Sequence, residues 1–212
     1  MADILKSIAQ GVEKGDDKKV VELVTQAVKG GTPALQILDK GLVPGIQALG
    51  KCFKEGTAYL PEVLIATRAM NRGVEVLKPH LANVKVQSKG MVVLGTVEGD
   101  MHDIGKNLVR LMLESNGFTV DDLGNDVVPD AFVSAVRGKQ VDIVAMSALL
   151  TMTMTAMPRV IDALKQAGLR GNVKILIGGA PITREFANEI GAEGFAEDCV
   201  SAVDEAMRLV KK

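Results

Sequence analysis

Five short apolar runs recur between residues 90 and 200, and segments of helical period separate them. They are Met91–Val97, Val120–Leu123, Asp142–Met146, Lys174–Ile177 and Gly194–Ala196. Helices are expected from Ile104 to Ser115, from Asp130, ahead of Lys174 and at the C-terminal end. Strands that alternate with helices pair in parallel and bury both faces of their sheet. The expected form is a flavodoxin-like (Rossmann-type) α/β domain with a five-stranded parallel sheet. Such sheets bind ligands beyond the carboxyl ends of their strands, so those ends are where chemistry belongs.

The first 80 residues carry a different period. Leu5, Ile8 and Val12 share one helical face, and Val20, Val24 and Val28 share another, with a Gly15-Asp16-Asp17 turn between them. A third stripe runs through Leu35, Leu38, Leu42, Ile46, Leu49 and Phe53, and Pro44-Gly45 is expected to kink it. A fourth starts at Pro61 and carries Val63, Ala66, Met70, Val74 and Leu77. Four amphipathic helices with short connections make a small N-terminal four-helix bundle. The pattern fails between Pro79 and Lys89. The expected domains are 1–84 helical, 85–89 linker and 90–212 α/β.

Composition narrows the ligand. With 47% hydrophobic and 24% charged residues, the 212-residue chain has enough apolar material for packed cores. A net charge of -1 supplies no basic field for nucleic acid or an anionic membrane. One Tyr, five Phe and no Trp leave few rings for stacking bases or flavins. No apolar run approaches a membrane span or a signal peptide, which points to a cytoplasmic protein. Cys52 and Cys199 form neither a zinc spacing nor a disulfide framework and read as small packing side chains.

The first strand runs into Val97-Glu98-Gly99-Asp100-Met101-His102-Asp103-Ile104-Gly105. Two readings of this loop stand. Asp100 or Asp103 caps the next helix and His102 is merely exposed, or His102 is a metal ligand. For the second, a carboxylate on one ring nitrogen fixes the tautomer and frees the other nitrogen. Gly105 also removes bulk where a broad group approaches the backbone. One imidazole cannot hold a bare ion, so such a ligand must bring most of its own donors. The third strand ends in Ser147-Ala148-Leu149-Leu150-Thr151-Met152-Thr153, small and hydroxyl-rich, which suits either helix capping or a polar ligand tail. The fourth ends in Gly178-Gly179-Ala180-Pro181, either a tight turn or a place where backbone meets a ligand. Three successive strand ends with these features support an extended ligand.

The pattern Asp100-x-His102-x-x-Gly105, Ser147-x-Leu149 and Gly178-Gly179 resembles the signature of the methionine synthase-like cobalamin-binding family. The helical region, notably Phe53-Lys54-Glu55-Gly56-Thr57-Ala58-Tyr59-Leu60-Pro61, resembles that family's methyl-cobalamin cap. The similarity covers nearly all of the chain. It is nearest to the stand-alone corrinoid proteins of anaerobic methyltransferase systems, which act on methylamines, methanol, betaines or methoxylated aromatics.

The resemblance implies a corrinoid (cobalamin) cofactor, methylcobalamin in turnover, with His102 coordinating cobalt from below and Asp100 orienting it. Met101, Asp103, Ile104 and Gly105 would complete the first cofactor-binding loop. Gly105 would line the entry of the nucleotide tail, Ser147 and Leu149 with Gly178, Gly179 and Ala180 its buried channel, and Thr151 and Thr153 would also belong to the cofactor site. Phe53 and Leu60 match the two apolar cap residues over the methyl-bearing face. Where the family often has a serine third in the Asp-His relay, this chain has Thr153, whose methyl restricts the hydroxyl's rotamer.

The implied role is a methyl carrier with no turnover of its own. A substrate-specific methyltransferase passes a methyl group to Co(I). A second methyltransferase takes it from methyl-Co(III) to a thiol or tetrahydrofolate, and a reductive activase restores the reduced metal. The Asp100–His102 pair is expected to take up a proton as the imidazole detaches on reduction, and the chain to hinge near residues 82–90.

The alternative is a cobalamin-binding sensor or regulatory module, against which stands the lack of any output segment. A mutase small subunit would lack the helical bundle, and a phosphoreceiver would end its third strand in aspartate. His80 reads as a solvated linker residue, Asp121-Asp122 as a solvated strand edge, and Met152, Met154 and Met157 as helix packing.

Overall fold

The computed structural model describes residues 2–81 and 88–211. The chain divides into two compact units, Met1–Gln87 and Ser88–Lys212. Residues 85–87 of the expected linker lie outside the described residues. Ser88 and Lys89 are bonded into the second unit: Lys89 donates its N–H to the Gly117 carbonyl, and the Ser88 hydroxyl donates to the Gly90 carbonyl.

The helical unit holds α1 (Ala2–Glu13), α2 (Asp17–Lys29), α3 (Ala34–Ile37), α4 (Val43–Lys54) and α5 (Leu60–Leu81). Asp16 caps α2, its carboxylate accepting the Lys19 N–H at 3.0 Å. Leu5, Ile8, Val12, Val20 and Val24 are buried as their spacing requires, whereas Ala27 takes the buried place expected of Val28. The third stripe departs from a regular helix. A π-helical turn, Leu38–Leu42, separates α3 from α4. Its extra residue rotates the upstream face, so Ile37 is buried while Leu35 is exposed. Pro44 sits where the π-helical turn passes into α4, so its missing donor falls where the regular hydrogen-bond ladder is already interrupted. Gly45 is required by packing, because a Cβ there would lie 2.4 Å from the Ala9 carbonyl oxygen on α1. Helix α5 runs through Pro79, so Pro79 and His80 belong to its last turns and not to a linker.

The second unit holds β1 (Met91–Thr96), α6 (Ile104–Ser115), β2 (Thr119–Asp122), α7 (Pro129–Val136), β3 (Ile143–Ser147), α8 (Ala156–Gln166), β4 (Lys174–Gly178), α9 (Arg184–Ile190), β5 (Gly194–Ala196) and α10 (Cys199–Val210). The apolar pattern assigns no bounds to the seven-residue α9. All strands are parallel, in the order β2-β1-β3-β4-β5. Helices α6 and α10 cover one face and α7, α8 and α9 the other. On the second face Phe132 is fully buried among Val93, Val97, Val144, Met157 and Val160. Burial of a ring that size contributes about 3 kcal/mol.

Register sets the site. Thr96, Ser147 and Gly178 lie side by side at the carboxyl ends of β1, β3 and β4, and Ala196 continues the row on β5. The loops that leave these four strand ends therefore emerge at one edge of the sheet.

Candidate functional site

Asp100 anchors that edge. It follows a turn at Gly99 (φ +83°) and is wholly buried. Its Oδ1 accepts the His102 backbone N–H at 3.0 Å and lies 2.7 Å from the His102 Nδ1. Its Oδ2 accepts the Leu149 N–H at 2.7 Å and lies 2.6 Å from the Thr153 hydroxyl. Burial pushes this carboxyl up, but the bonds from Thr153, Leu149 and His102 together outweigh it and hold it well below the usual carboxylate range. Asp100 is thus an anion that only accepts. The His102 Nδ1 must donate to it, which leaves Nε2 with a free lone pair in the neutral ring.

Neither carboxylate caps α6. Asp103 occupies the N-cap position without a side-chain bond, and Asp100 serves the histidine instead. His102 has about half of its side chain exposed, so Nε2 has room for a ligand. Thr153 joins the relay despite its extra methyl, with its hydroxyl also 2.9 Å from the Leu150 carbonyl. It sits in a short 3-10 turn, Thr153–Thr155, which returns it beneath the loop.

Around this relay the side chains are apolar yet exposed. Met101, Val128, Leu149, Leu150 and Met152 on loops at the carboxyl edge, and Ile104 at the start of α6, are all exposed. Met152 is 84% exposed, contrary to the packing role expected of it, whereas Met157 is buried and Met154 partly so. A Cβ on Gly105 would meet nothing within 4 Å, so that glycine faces open space. Gly178 and Gly179 differ. A Cβ on Gly178 would lie 2.8 Å from the Ala196 carbonyl oxygen, and one on Gly179 would lie 1.8 Å from that of Ala148. Protein backbone already requires glycine at both. A cleft of about 390 Å³ opens next to them, lined in part by Gly179, Ala180, Thr183, Arg184 and Phe195.

Ser147 ends β3, half-buried, and Thr151 is exposed in the following loop. Phe53, half-buried, and Leu60, 40% exposed, belong to the helical unit. Sequence reasoning missed Thr96, whose buried hydroxyl donates to the His102 carbonyl at 2.9 Å. It also missed Lys106. This buried ammonium reaches both oxygens of Asp122, at 2.6 and 2.8 Å, and Arg110 adds a contact at 3.2 Å. Asp122 is therefore the partner of a buried lysine and not a solvated edge, while Asp121 pairs with Lys139. Among the described residues no three His, Cys, Asp or Glu side chains gather to hold a bare ion. None of the helices there is long and apolar enough to cross a membrane.

Residues 90–204 match the family described as B12 binding domain, and residues 4–78 match a second family of that description. The trimethylamine corrinoid protein 1 of Methanosarcina mazei is 40% identical over 210 residues, 97% of each chain. The dimethylamine corrinoid protein 1 of Methanosarcina acetivorans is 42% identical over 209 residues, 98% of each chain. A chain of the methanol:cobalamin methyltransferase complex MtaBC from Methanosarcina barkeri superposes with a TM-score of 0.86 at 30% identity. That match covers 98% of this chain and 80% of the other.

The residues fit such a cofactor. A corrinoid is a broad ring that brings most of the donors to its metal, so one imidazole from the protein would be enough to complete the set. His102 offers one, beside the exposed apolar side chains of Met101, Ile104 and Leu149. With both of its halves matched and its relatives alike over nearly their full length, the chain belongs to the B12-binding corrinoid protein family and binds a corrinoid.

Proposed function

We propose that this chain is the methyl carrier of a corrinoid-dependent methyltransferase system. The observation that carries the reading is the buried Asp100 carboxylate, which accepts a hydrogen bond from the His102 Nδ1–H and leaves Nε2 free among exposed apolar side chains. When bound, the corrinoid supplies a cobalt centre that accepts and releases a methyl group. His102 would be its lower ligand, and Met101, Ile104 and Leu149 would pack against the ring. Gly105 leaves room for the start of the nucleotide tail. Ser147, Thr151, Gly178, Gly179 and Ala180, beside the cleft, would hold the remainder.

The chain's own work is to orient one imidazole and keep its environment dry. Asp100 fixes the ring and raises the basicity of Nε2, and Thr153 with the Leu149 amide holds Asp100 in place. We assign residues 1–84 to the cap that excludes water, with Phe53 and Leu60 as its shielding residues, and residues 90–212 to cofactor binding. Chemistry is left to partners: a substrate-specific methyltransferase, a second enzyme with a thiol or tetrahydrofolate acceptor, and a reductive activase. Similarity to trimethylamine and dimethylamine corrinoid proteins favours a methylamine as donor; the two are nearly equal in identity, so the number of methyl groups is left to the partner enzyme.

The test is the absorption spectrum of the protein loaded with hydroxocobalamin, beside His102→Ala. Stoichiometric retention with a ligand-state spectrum that changes in the variant is the expected result. An identical spectrum in both would remove His102 as the ligand.

A further inference from the structure

The histidine loop is held from a second strand as well as from within. Three successive residues of it, Gly99, Asp100 and Met101, each bond to the loop that leaves β2. The Gly99 N–H donates to the Asp126 Oδ1 at 2.7 Å. The Asp126 N–H donates to the Asp100 carbonyl at 3.0 Å. The Asn125 side-chain amide donates to the Met101 carbonyl at 3.1 Å. Around them Val127 bridges to Val97, its N–H bonds the Thr96 carbonyl at 2.9 Å, and the Thr96 N–H bonds the Gly124 carbonyl at 3.0 Å. Asp122 ties the same loop to α6, accepting the Gly124 N–H at 3.0 Å while it holds the buried Lys106.

Asp126 is also the one non-glycine residue among those described with a positive φ, 52°. That region disfavours L-residues, and Asp and Asn are the side chains that tolerate it best. A residue in such a conformation persists where its surroundings over-determine it, commonly beside a functional site. Here the conformation points the carboxylate and the N–H of one residue at two consecutive residues of the histidine loop.

We propose that Asp126, assisted by Asn125, is a positioning residue for His102. It fixes the backbone of Asp100, and Asp100 in turn fixes the ring. The inference rests on the reading of His102 as the axial ligand. Asp126 bonds to the backbone of the histidine loop and not to the imidazole, so its effect is argued through that backbone.

The test is electron paramagnetic resonance of the full chain loaded with Co(II) cobinamide, which carries no nucleotide base of its own, so that only a nitrogen from the protein splits the cobalt lines. Asp126→Gly keeps the backbone favourable but removes the acceptor. It is expected to lower the ratio of nitrogen-split to unsplit species about tenfold, the low end for groups that orient a metal-binding histidine. Asp126→Asn keeps both the acceptor and the conformation, and its ratio should return close to wild type. Asn125→Ala is the second variant should Asp126→Gly not fold, with a shift in the same direction. A melting temperature lowered in the glycine variant with the ratio unchanged would mark a merely structural role and overturn the proposal. Wild-type protein without nitrogen splitting would remove the ligand reading itself, and this inference with it. Wild type split and both variants equal to it would overturn the inference alone.

Discussion

The Nδ1 atom of His102 lies 2.7 Å from Oδ1 of Asp100, yet the carboxylate is fully enclosed and the imidazole about half exposed. This asymmetry separates support from function. The Asp100 carboxylate is held by Thr153, Leu149 and the His102 backbone, while the far side of the imidazole is open.

Asp100 therefore also stabilises the fold, and its contribution depends on pH. Its folded pKa lies below the unfolded value near ~3.9. The stabilisation is complete above that value and is lost as pH falls through the folded pKa, because the unfolded chain takes up the proton first. Asp100→Asn should be less stable than wild type by about 2 kcal/mol at pH 7. The gap should narrow progressively below pH ~4. Urea unfolding of the cofactor-free protein at neutral and acid pH measures it. A constant gap would show that the charge of Asp100 contributes nothing.

Thr153 separates the hydroxyl from the methyl. Thr153→Val leaves Asp100 Oδ2 with backbone donors alone and should cost about 1–2 kcal/mol. Thr153→Ser keeps the donor and should cost less than valine does. Thermal or urea unfolding of the pair decides it, and valine at least as stable as serine would remove the hydroxyl from the relay.

Much of this could be read before the structure, for reasons that differ between elements. The buried parallel strands read as apolar runs because both faces are covered, and α6 lies at its expected bounds, Ile104–Ser115. The π-helical turn at Leu38–Leu42 was hidden, since one additional residue changes no local composition yet rotates Leu35 outward and Ile37 inward. Asp100 and His102 were legible because they are neighbours in sequence as well as in space. Asn125 and Asp126 were not, because their role arises from the pairing of β1 with β2 and from a backbone angle. Asp121-Asp122 looked like an edge pair. The buried partner of Asp122 is Lys106, 16 residues earlier, and a lysine in an amphipathic helix gives no sign of facing inward.

That lysine is a further point of test. Lys106→Met keeps much of the volume but strips Asp122 of its closest cation, with Arg110 left at 3.2 Å. Removing one partner of a buried ion pair costs about 3–5 kcal/mol, and the remaining arginine should hold the loss near the lower end, about 3 kcal/mol. Urea unfolding gives the value. A loss below about 1 kcal/mol would place the pair with ordinary surface ion pairs.

Two glycines of the site should fail in different ways. Gly179→Ala forces a Cβ to 1.8 Å from the Ala148 carbonyl oxygen at φ +126°, so the variant should lose soluble folded protein whether or not corrinoid is supplied. Gly105→Ala meets open space inside the first turn of α6 and should melt no lower than wild type, since alanine is the better helix former by about 1 kcal/mol. Its defect should appear in corrinoid retention. Melting curves with and without hydroxocobalamin separate the two, and full retention by Gly105→Ala would show that the tail does not pass this residue.

The exposed methionines give the most direct test of where the ring lies. Thioether oxidation follows solvent access. In the cofactor-free protein Met101 and Met152, 66% and 84% exposed, should be converted to sulfoxide by dilute peroxide well before the buried Met112 and Met157. Both exposed residues stand on the loops that carry His102 and Leu149, so a ring seated on the imidazole shields them together. Loading with hydroxocobalamin should therefore slow oxidation at Met101 and Met152 severalfold and leave the buried pair as slow as before. Peptide mass spectrometry reads each site separately. Protection confined to Met101 would shift the ring away from the β3 loop. Equal rates with and without corrinoid at both would show that the exposed apolar edge is not the binding face, even if the protein retained its cofactor.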